Sequence, residues 1–248
     1  STLMRSSAAS DVYKRQMQNR QDSELCQKVE QSLRKKFRVS IMSPFTKALK
    51  IYKLVNEGDR VAVCISGGKD SMLMAKLFQE LKRYSKVNFE VKYLVMDPGY
   101  NPENRRIIED NARALNIPIN IFESDIFKSV YNVKKSPCYL CARMRRGYLY
   151  KFAQELGCNK VALGHHLDDA VETFYMNLWR EGRIGCFSPV TYLSQRDLTL
   201  IRPMLLATEY EVQCAVREAG LPIVKSRCPA DGVTVREQTK EFVQERCR

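Results

Sequence analysis

Between Val61 and Phe78 the chain passes from an apolar run, Val61-Ala62-Val63-Cys64-Ile65, through Ser66-Gly67-Gly68-Lys69-Asp70-Ser71, into the helix-forming run Met72-Leu73-Met74-Ala75-Lys76-Leu77-Phe78. The first run reads as a buried parallel strand and the last as a helix. A strand, a Gly-rich turn and a helix N-terminus in this order form an anion site. Glycines let the backbone approach a ligand closely, and the first helical turn offers unpaired N–H groups at the positive end of its dipole. Lys69 adds a mobile positive charge, while Ser66 and Ser71 add hydroxyls, so the expected guest is a phosphate or pyrophosphate. The run is not GxxxxGK[ST] and not GxGxxG, which excludes a Walker A loop and a dinucleotide fingerprint.

The hexapeptide resembles the PP-loop of the N-type ATP pyrophosphatases, which split ATP between its α and β phosphates and adenylate a substrate oxygen. That resemblance makes Ser66, Gly67, Gly68, Lys69, Asp70 and Ser71 the expected phosphate cradle, with Lys69 and Asp70 as catalytic candidates. The competing explanation is an ordinary Gly-rich βα turn.

The rest of the chain supplies the architecture around this loop. Strands are expected at Phe89–Met96, Ile117–Phe122, Lys160–Leu163 and Leu198–Ile201. Helices are expected from about Asp22 to Arg38, Pro44 to Tyr52, Pro102 to Leu115, Tyr139 to Leu156, after Asp169 through Trp179, Glu209 to Ala219 and Val233 to Glu245. Alternation of strand and helix predicts an α/β fold, a parallel twisted sheet with helices on both faces, Rossmann-like, preceded by extra N-terminal helices. Ligands in such sheets bind at the carboxyl ends of strands. The loop at 66–71, Asp97-Pro98-Gly99 and Gly164-His165-His166 all fall at such ends, and Asp97 is expected to touch ribose or adenine.

The domain reading divides the chain into 1–16, 17–58 and 59–248. Ser1 to Gln16 is Ser-rich, lacks the apolar core of a secretory signal and reads as a non-native or disordered leader, with Met17 as the native start. Residues 17–58 form a helical segment, and 59–248 the α/β domain.

With 41 basic and 28 acidic residues, the formal net charge of +13 favours a polyanionic partner. Nucleic acid comes before a membrane surface, because no basic amphipathic helix stands out and no apolar run is long enough to span a bilayer. Lys35 and Lys36, in the basic cluster ending the first helix, and Arg143, Arg145 and Arg146, with Lys134 and Lys135 nearby, are candidate contacts to an RNA backbone. Solvated helix faces would explain the same charges.

The nine cysteines, with no secretory signal, point to reduced thiols or metal ligation. Cys138-Tyr139-Leu140-Cys141 opens a helix, whose dipole favours thiolates. Taken alone, it is ambiguous among zinc, iron–sulfur and redox use. Cys228, in the turn-rich Ser226-Arg227-Cys228-Pro229-Ala230-Asp231-Gly232, is a third thiol. Three thiolates on a four-iron cluster would leave one iron open. Cys64, Cys158, Cys186 and Cys214 read as small core residues, and Cys26 and Cys247 as peripheral.

The run Gly164-His165-His166-Leu167-Asp168-Asp169-Ala170-Val171-Glu172-Thr173 places two adjacent carboxylates at a helix start. They complement the helix dipole, and they suit Mg²⁺ held against ATP phosphates. Gly164, His165 and Asp169 are candidate nucleotide contacts, and packing in the core would explain the two histidines equally well.

Taken together, SGGKDS, CxxC, GHHLDDxxET and the late cysteine occur in the order seen in the tRNA 2-thiocytidine biosynthesis proteins (TtcA family). The stretch from Leu33 through Asp59 also looks like that family, and the resemblance covers about Leu33 to Phe242. It implies a [4Fe-4S] cluster on Cys138, Cys141 and Cys228, with Asp168 as a catalytic or metal-positioning acid. It also implies use of ATP and Mg²⁺ to activate C2 of a tRNA cytidine, at position 32 of the anticodon loop, for replacement of oxygen by sulfur. The implied setting is cytoplasmic, with tRNA and a sulfur donor such as a cysteine desulfurase as partners, no membrane, and a homodimer among the allowed states. The CPADG context of Cys228 departs from the family's usual form and marks a divergent branch. Unlike the related tRNA 2-thiouridine synthetases, the chain has no terminal zinc-finger CxxC pairs. The rival readings are a cluster-free PP-loop ligase or amidating enzyme and a zinc-stabilised RNA-binding module without catalysis.

Overall fold

The computed structural model describes residues 24–131, 137–224 and 235–246. The expectations for the leader 1–16, for Met17, and for Lys134, Lys135, Cys228 and Cys247 lie outside the described residues.

The first strand, β1 (Arg60–Ile65), is buried along nearly its whole length, as its apolar run requires. It sits at the centre of a six-stranded sheet with β2 (Glu90–Asp97), β3 (Ile119–Glu123), β4 (Lys160–Ala162), β5 (Val190–Leu193) and β6 (Leu198–Ile201). The order is β3-β2-β1-β4-β6-β5. Pairing is parallel from β3 through β6, with Val61 opposite both Val91 and Lys160. The expected parallel sheet therefore forms, with one addition: β5 pairs antiparallel with β6 as an edge hairpin.

The helices are α1 (residues 24–34), α2 (Ser43–Ile51), α3 (Lys69–Tyr84), α4 (Pro102–Ala114), α5 (Ile126–Tyr131), α6 (Pro137–Glu155), α7 (Leu167–Glu181), α8 (Glu209–Ala219) and α9 (Val235–Arg246). Successive residues of β1 face opposite sides of the sheet. Val61, Val63 and Ile65 pack with α1, α2, α3 and α8 in the larger core, and Ala62 packs with Phe152 and Ala153 of α6 in the smaller one.

The expected first helix ends earlier than Arg38: α1 stops at residue 34, and a π-helical turn, Arg38–Met42, leads into α2. The apolar face survives the break, because Val29, Leu33, Phe37, Ile41 and Phe45 are all buried in the larger core. Cys26, expected at the periphery, is also buried there, with its thiol 3.3 Å from the Lys76 ammonium. Cys186 departs in the other direction. It is exposed on the loop before β5, where its thiol donates to the Ala170 carbonyl.

β1 has β2 on one side and β4 on the other, and the chain leaves β1 toward β2. The crevice at the carboxyl ends of β1 and β4 is thus the topological switch point, where α/β sheets bind their ligands.

Candidate active site

The turn after β1 is tied by its own side chains. Ser66 N–H donates to Ser71 Oγ at 3.1 Å, the two serine hydroxyls lie 3.2 Å apart, and Ser71 Oγ donates to the Gly68 carbonyl at 3.0 Å. Gly67 has φ +84°, in the left-handed region, and a Cβ there would lie 3.0 Å from Ile108 Cγ1. Only glycine fits this position without strain. The Gly67 carbonyl accepts from Val224 N–H at 2.9 Å, which fastens the turn to the segment after α8. Gly68 is the N-cap of α3 and no side chain caps it, which leaves the first amides of α3 without a side-chain partner next to the cleft-lining Asp70 and Ser71.

Gly164, after β4, closes the other side. A Cβ on it would meet the Asp70 backbone at 3.3 Å, so glycine permits the two strand ends to approach. Next comes His166, the N-cap of α7. Its Nδ1 accepts from Asp169 N–H, and Asp169 Oδ2 accepts from His166 N–H at 2.9 Å. Asp168 turns the other way and accepts Glu209 N–H, at the start of α8, at 2.6 Å. Both carboxylates of the pair are therefore oriented by helix N-termini.

Between these strand ends lies a cleft of about 340 Å³. It is lined by Ser66, Asp70 and Ser71 from the loop, Gly164, His165 and Asp169 from the second motif, and Arg145 and Arg146 from α6. Three buried polar atoms of the lining residues make no hydrogen bond: Asp70 Oδ1, His165 Nδ1 and Arg145 Nε. A buried polar atom without a partner costs roughly 1–3 kcal/mol, so convergence of three on one cavity marks a binding site. Burial, helped by the nearby Arg202 and Arg236 cations, pushes the His165 imidazole down to about 4 despite Asp169. It is neutral at physiological pH, with its ring 5.0 Å from that of Phe187. The buried Arg202 covers Phe187 at 4.8 Å and donates to Ser188 O at 2.5 Å and Thr191 Oγ1 at 3.2 Å. Cys64 also lines the cleft, and burial pushes its thiol up, so it stays protonated.

Lys69 Nζ lies between two carboxylates, 3.0 Å from Asp70 Oδ2 and 3.2 Å from Glu209 Oε1. Burial would lower the ammonium's pKa, but these two charges raise it. Glu209 also accepts from Lys240 of α9 at 2.8 Å. Burial would raise Glu209, yet the Lys240 hydrogen bond and both lysine charges hold it at about 2. Arg236, also on α9, donates to Asp169 Oδ1 at 2.9 Å, to Glu172 Oε2 at 3.3 Å and to Thr173 Oγ1 at 3.2 Å. Glu172 is nonetheless pushed up to about 7, because burial and the Asp169 charge outweigh Arg236 and Lys240.

The structure thus brings together Ser66 to Ser71, Gly164, His165, Asp168 and Asp169. Cys138 and Cys141 occupy the first turns of α6, and Cys141 is a half-buried free thiol one turn before Arg145. Among the described residues no three His, Cys, Asp or Glu side chains cluster as a metal site, and Cys228 is not among those residues. Asp97 stands apart from this cleft. It lines a neighbouring one of about 300 Å³, and Tyr100 borders both. Its Oδ1 accepts Gly99 and Tyr100 N–H at 2.9 and 2.6 Å, which shapes the turn after β2. Arg143 is exposed on α6 and does not line the cleft. Lys35 and Lys36 are not brought to the site. Lys36 pairs with Glu218, nine residues beyond Glu209 on α8 and so about 13 Å along the axis from the crevice.

Sequence reasoning missed Arg202, Glu209, Arg236 and Lys240. The one signal available for Glu209 is the Thr208–Glu211 capping box, which marks a helix start but not a function.

A family model described as "PP-loop domain" matches residues 19–244. The tRNA-cytidine(32) 2-sulfurtransferase of Pelobacter propionicus is 36% identical over 205 residues, covering 80% of this chain and 76% of the relative. That of Syntrophotalea carbinolica is 38% identical over 188 residues, covering 75% and 73%. Among solved structures, the U34-tRNA thiolase NcsA from Methanococcus maripaludis, determined with its [4Fe-4S] cluster, shares the fold with a TM-score of 0.66. It is 22% identical, over 82% of this chain and 71% of that one.

Proposed function

We infer the activity from a premise of kinship: the chain belongs to the PP-loop family and, within it, to the tRNA-cytidine(32) 2-sulfurtransferases, and it is an ATP-dependent tRNA-thiolating enzyme. The observation that carries this reading to particular residues is the cleft with three buried polar atoms awaiting partners.

In this reading the triphosphate of ATP lies on the first amides of α3, with the Ser66 and Ser71 hydroxyls beside it. The C2 oxygen of the cytidine attacks the α phosphorus. An O–P bond forms, the α–β phosphoanhydride bond breaks, and pyrophosphate leaves with its charge offset by Lys69. Hydrosulfide then adds at C2, the C2–O bond breaks, and AMP carries away the original oxygen. The target base lies in a single-stranded loop, so unstacking it into the cleft costs only a few kcal/mol. His165, neutral and facing the cleft, is a nucleotide contact. Asp70 and Asp168 are the carboxylates that would hold Mg²⁺, and Asp70 Oδ1, buried and without a hydrogen bond, suits a cation. Asp97 shapes the neighbouring cleft, where a ribose contact would fall.

Cys138, Cys141 and Cys228 would hold a [4Fe-4S] cluster, supplying an open iron site for sulfide. The donor set fits such a group. Two of its cysteines lie in the first turns of α6, and Cys141 is a half-buried free thiol. Arg143 and Arg146, exposed on the same helix, suit the tRNA backbone, with Arg145 on the cleft wall. Lys35 and Lys36 would reach only a more distant part of the tRNA. No helix among the described residues is long and apolar enough to cross a membrane. A cytoplasmic setting, a desulfurase-type sulfur donor and a homodimer complete the reading. The ligase and zinc-module alternatives lack a relative of comparable likeness among those described above.

The test is iron and sulfide analysis after anaerobic purification, for the chain and for Cys141→Ala. The expected result is iron and sulfide in equal amounts, lost in the variant, which still binds ATP. Zinc in place of iron would overturn the cluster assignment while leaving the nucleotide site intact.

A further inference from the structure

Glu209 is the point where three stretches of chain far apart in sequence meet. Its carboxylate reaches the Lys69 ammonium at 3.2 Å and the Lys240 ammonium at 2.8 Å, and its N–H donates to Asp168 Oδ2 at 2.6 Å. Its side chain is only 10% exposed. A carboxylate this buried, left without a cation, carries a desolvation penalty of several kcal/mol. Lys69 therefore cannot move to a triphosphate unless Glu209 keeps another positive partner. Lys240 is that partner: from α9 its ammonium lies 2.8 Å from both carboxylate oxygens, sharing Oε1 with Lys69. Lys69, Asp70, Glu209 and Lys240 together carry two positive and two negative formal charges, a balanced set from which one lysine can turn outward.

We propose that Glu209 and Lys240 are positioning residues for the phosphate-binding lysine: Glu209 holds Lys69 and Asp168 in one frame, and Lys240 is the standing cation that lets Lys69 leave Glu209 for the triphosphate. The proposal rests on the ATP-dependent thiolation reading and gives α9 a role in nucleotide binding. Glu209 itself touches neither substrate nor reacting atoms. Its effect passes through the placement of Lys69 and Asp168.

The two residues have different signatures. Lys240→Met leaves Lys69 as the only ammonium on Glu209, so releasing it becomes costly. The Kd and KM for ATP rise about tenfold or more, while kcat at saturating ATP changes little. Lys240→Arg, which keeps the charge, restores the KM to within about threefold. Glu209→Gln frees Lys69 from its frame while the backbone N–H at this position still holds Asp168, so kcat falls by about tenfold or more while ATP binding changes less. Because Lys240 acts only through Glu209, Lys240→Met adds little KM effect in a Glu209→Gln background, and the two changes are non-additive.

The experiment measures ATP affinity by calorimetry, and KM and kcat for tRNA-dependent pyrophosphate release, on the anaerobically prepared full chain. Thr208→Ala serves as a control that weakens the α8 cap without touching Lys69. Melting temperatures are recorded for every variant. A raised KM in Lys240→Met, rescued by arginine and absent from the double variant, supports the proposal. Additive effects, or variants that lower only the melting temperature as Thr208→Ala does, overturn it. An unaltered chain that binds no ATP would overturn the parent reading instead, so the two failures are distinct.

Discussion

Lys69 and Lys76 lie on one face of α3, two turns apart, and do opposite things. Lys76 is fully buried, and its ammonium is surrounded by Glu30 Oε1 at 3.0 Å, Gln79 Oε1 at 2.7 Å, the Leu115 carbonyl at 3.2 Å and Cys26 Sγ at 3.3 Å. Glu30 in turn accepts from Arg83 at 2.7 Å. Lys69 has two carboxylates and an open side, with its side chain 25% exposed, and the neighbouring Asp70 Oδ1 makes no hydrogen bond. The first arrangement is closed and ties α1 and the segment after α4 to α3. The second is balanced but incomplete. A buried charge whose contacts are all satisfied serves the architecture. A charge held beside unsatisfied atoms in a cleft is available to a ligand.

Exchanging the two lysines for methionine separates these roles. Lys69→Met lowers kcat/KM for thiolation by about a hundredfold to a thousandfold, with little change in melting temperature. Lys76→Met leaves Glu30 with Arg83 and Arg34 as its remaining cations and strips Gln79 Oε1 and the Leu115 carbonyl of their buried donor, lowering unfolding free energy by about 1–3 kcal/mol, while each molecule that remains folded keeps its turnover. Urea unfolding and steady-state assays on the same preparations read both. Equal stability losses would erase the distinction.

A smaller effect sharpens the contrast through pH. Glu30 is held at about 2: burial would raise it, but hydrogen bonds from Arg83 and Lys76 prevail. Glu209 is held at about 2 as well. Both lie below the ordinary value of 4.5, so their stabilisation is present above pH 4.5 and is lost as pH falls toward 2. Glu172, at about 7, lies above its ordinary 4.5 and acts with the opposite sign. The folded state holds its proton more tightly, so stability falls as pH rises from 4.5 through 7. Glu172→Gln should flatten that neutral limb of the stability profile and leave the acid limb unchanged. An unchanged neutral limb would assign the slope to other groups.

How far the fold and the site can be read from the sequence depends on how local each signal is. β6 and α8 are found within their true bounds, because each has its full pattern, and α8 its capping residues, inside one short window. β5 is missed because four half-exposed residues on an edge show no alternation long enough to read, and it follows Pro189 in a loop. α5, at six residues, is too short for helical periodicity to register. The 66–71 turn and the Gly164–Asp169 run, which meet at the cleft, stand out in the sequence because glycines and carboxylates lie together there. Glu209, Arg236 and Lys240 are not, because their contacts span 31 residues at the shortest and 140 for Glu209 with Lys69, and each alone resembles an ordinary surface charge.

The central claim is that this cleft couples ATP cleavage to sulfur insertion in tRNA. The most direct test incubates the anaerobically prepared chain with ATP, Mg²⁺, sulfide and tRNA lacking thiolated bases. AMP and pyrophosphate are then quantified against 2-thiocytidine in the nucleoside digest. The account predicts equimolar AMP and 2-thiocytidine, confined to the anticodon loop and absent without ATP. Thiolation that proceeds without ATP, or AMP formed with no sulfur entering the tRNA, would contradict it.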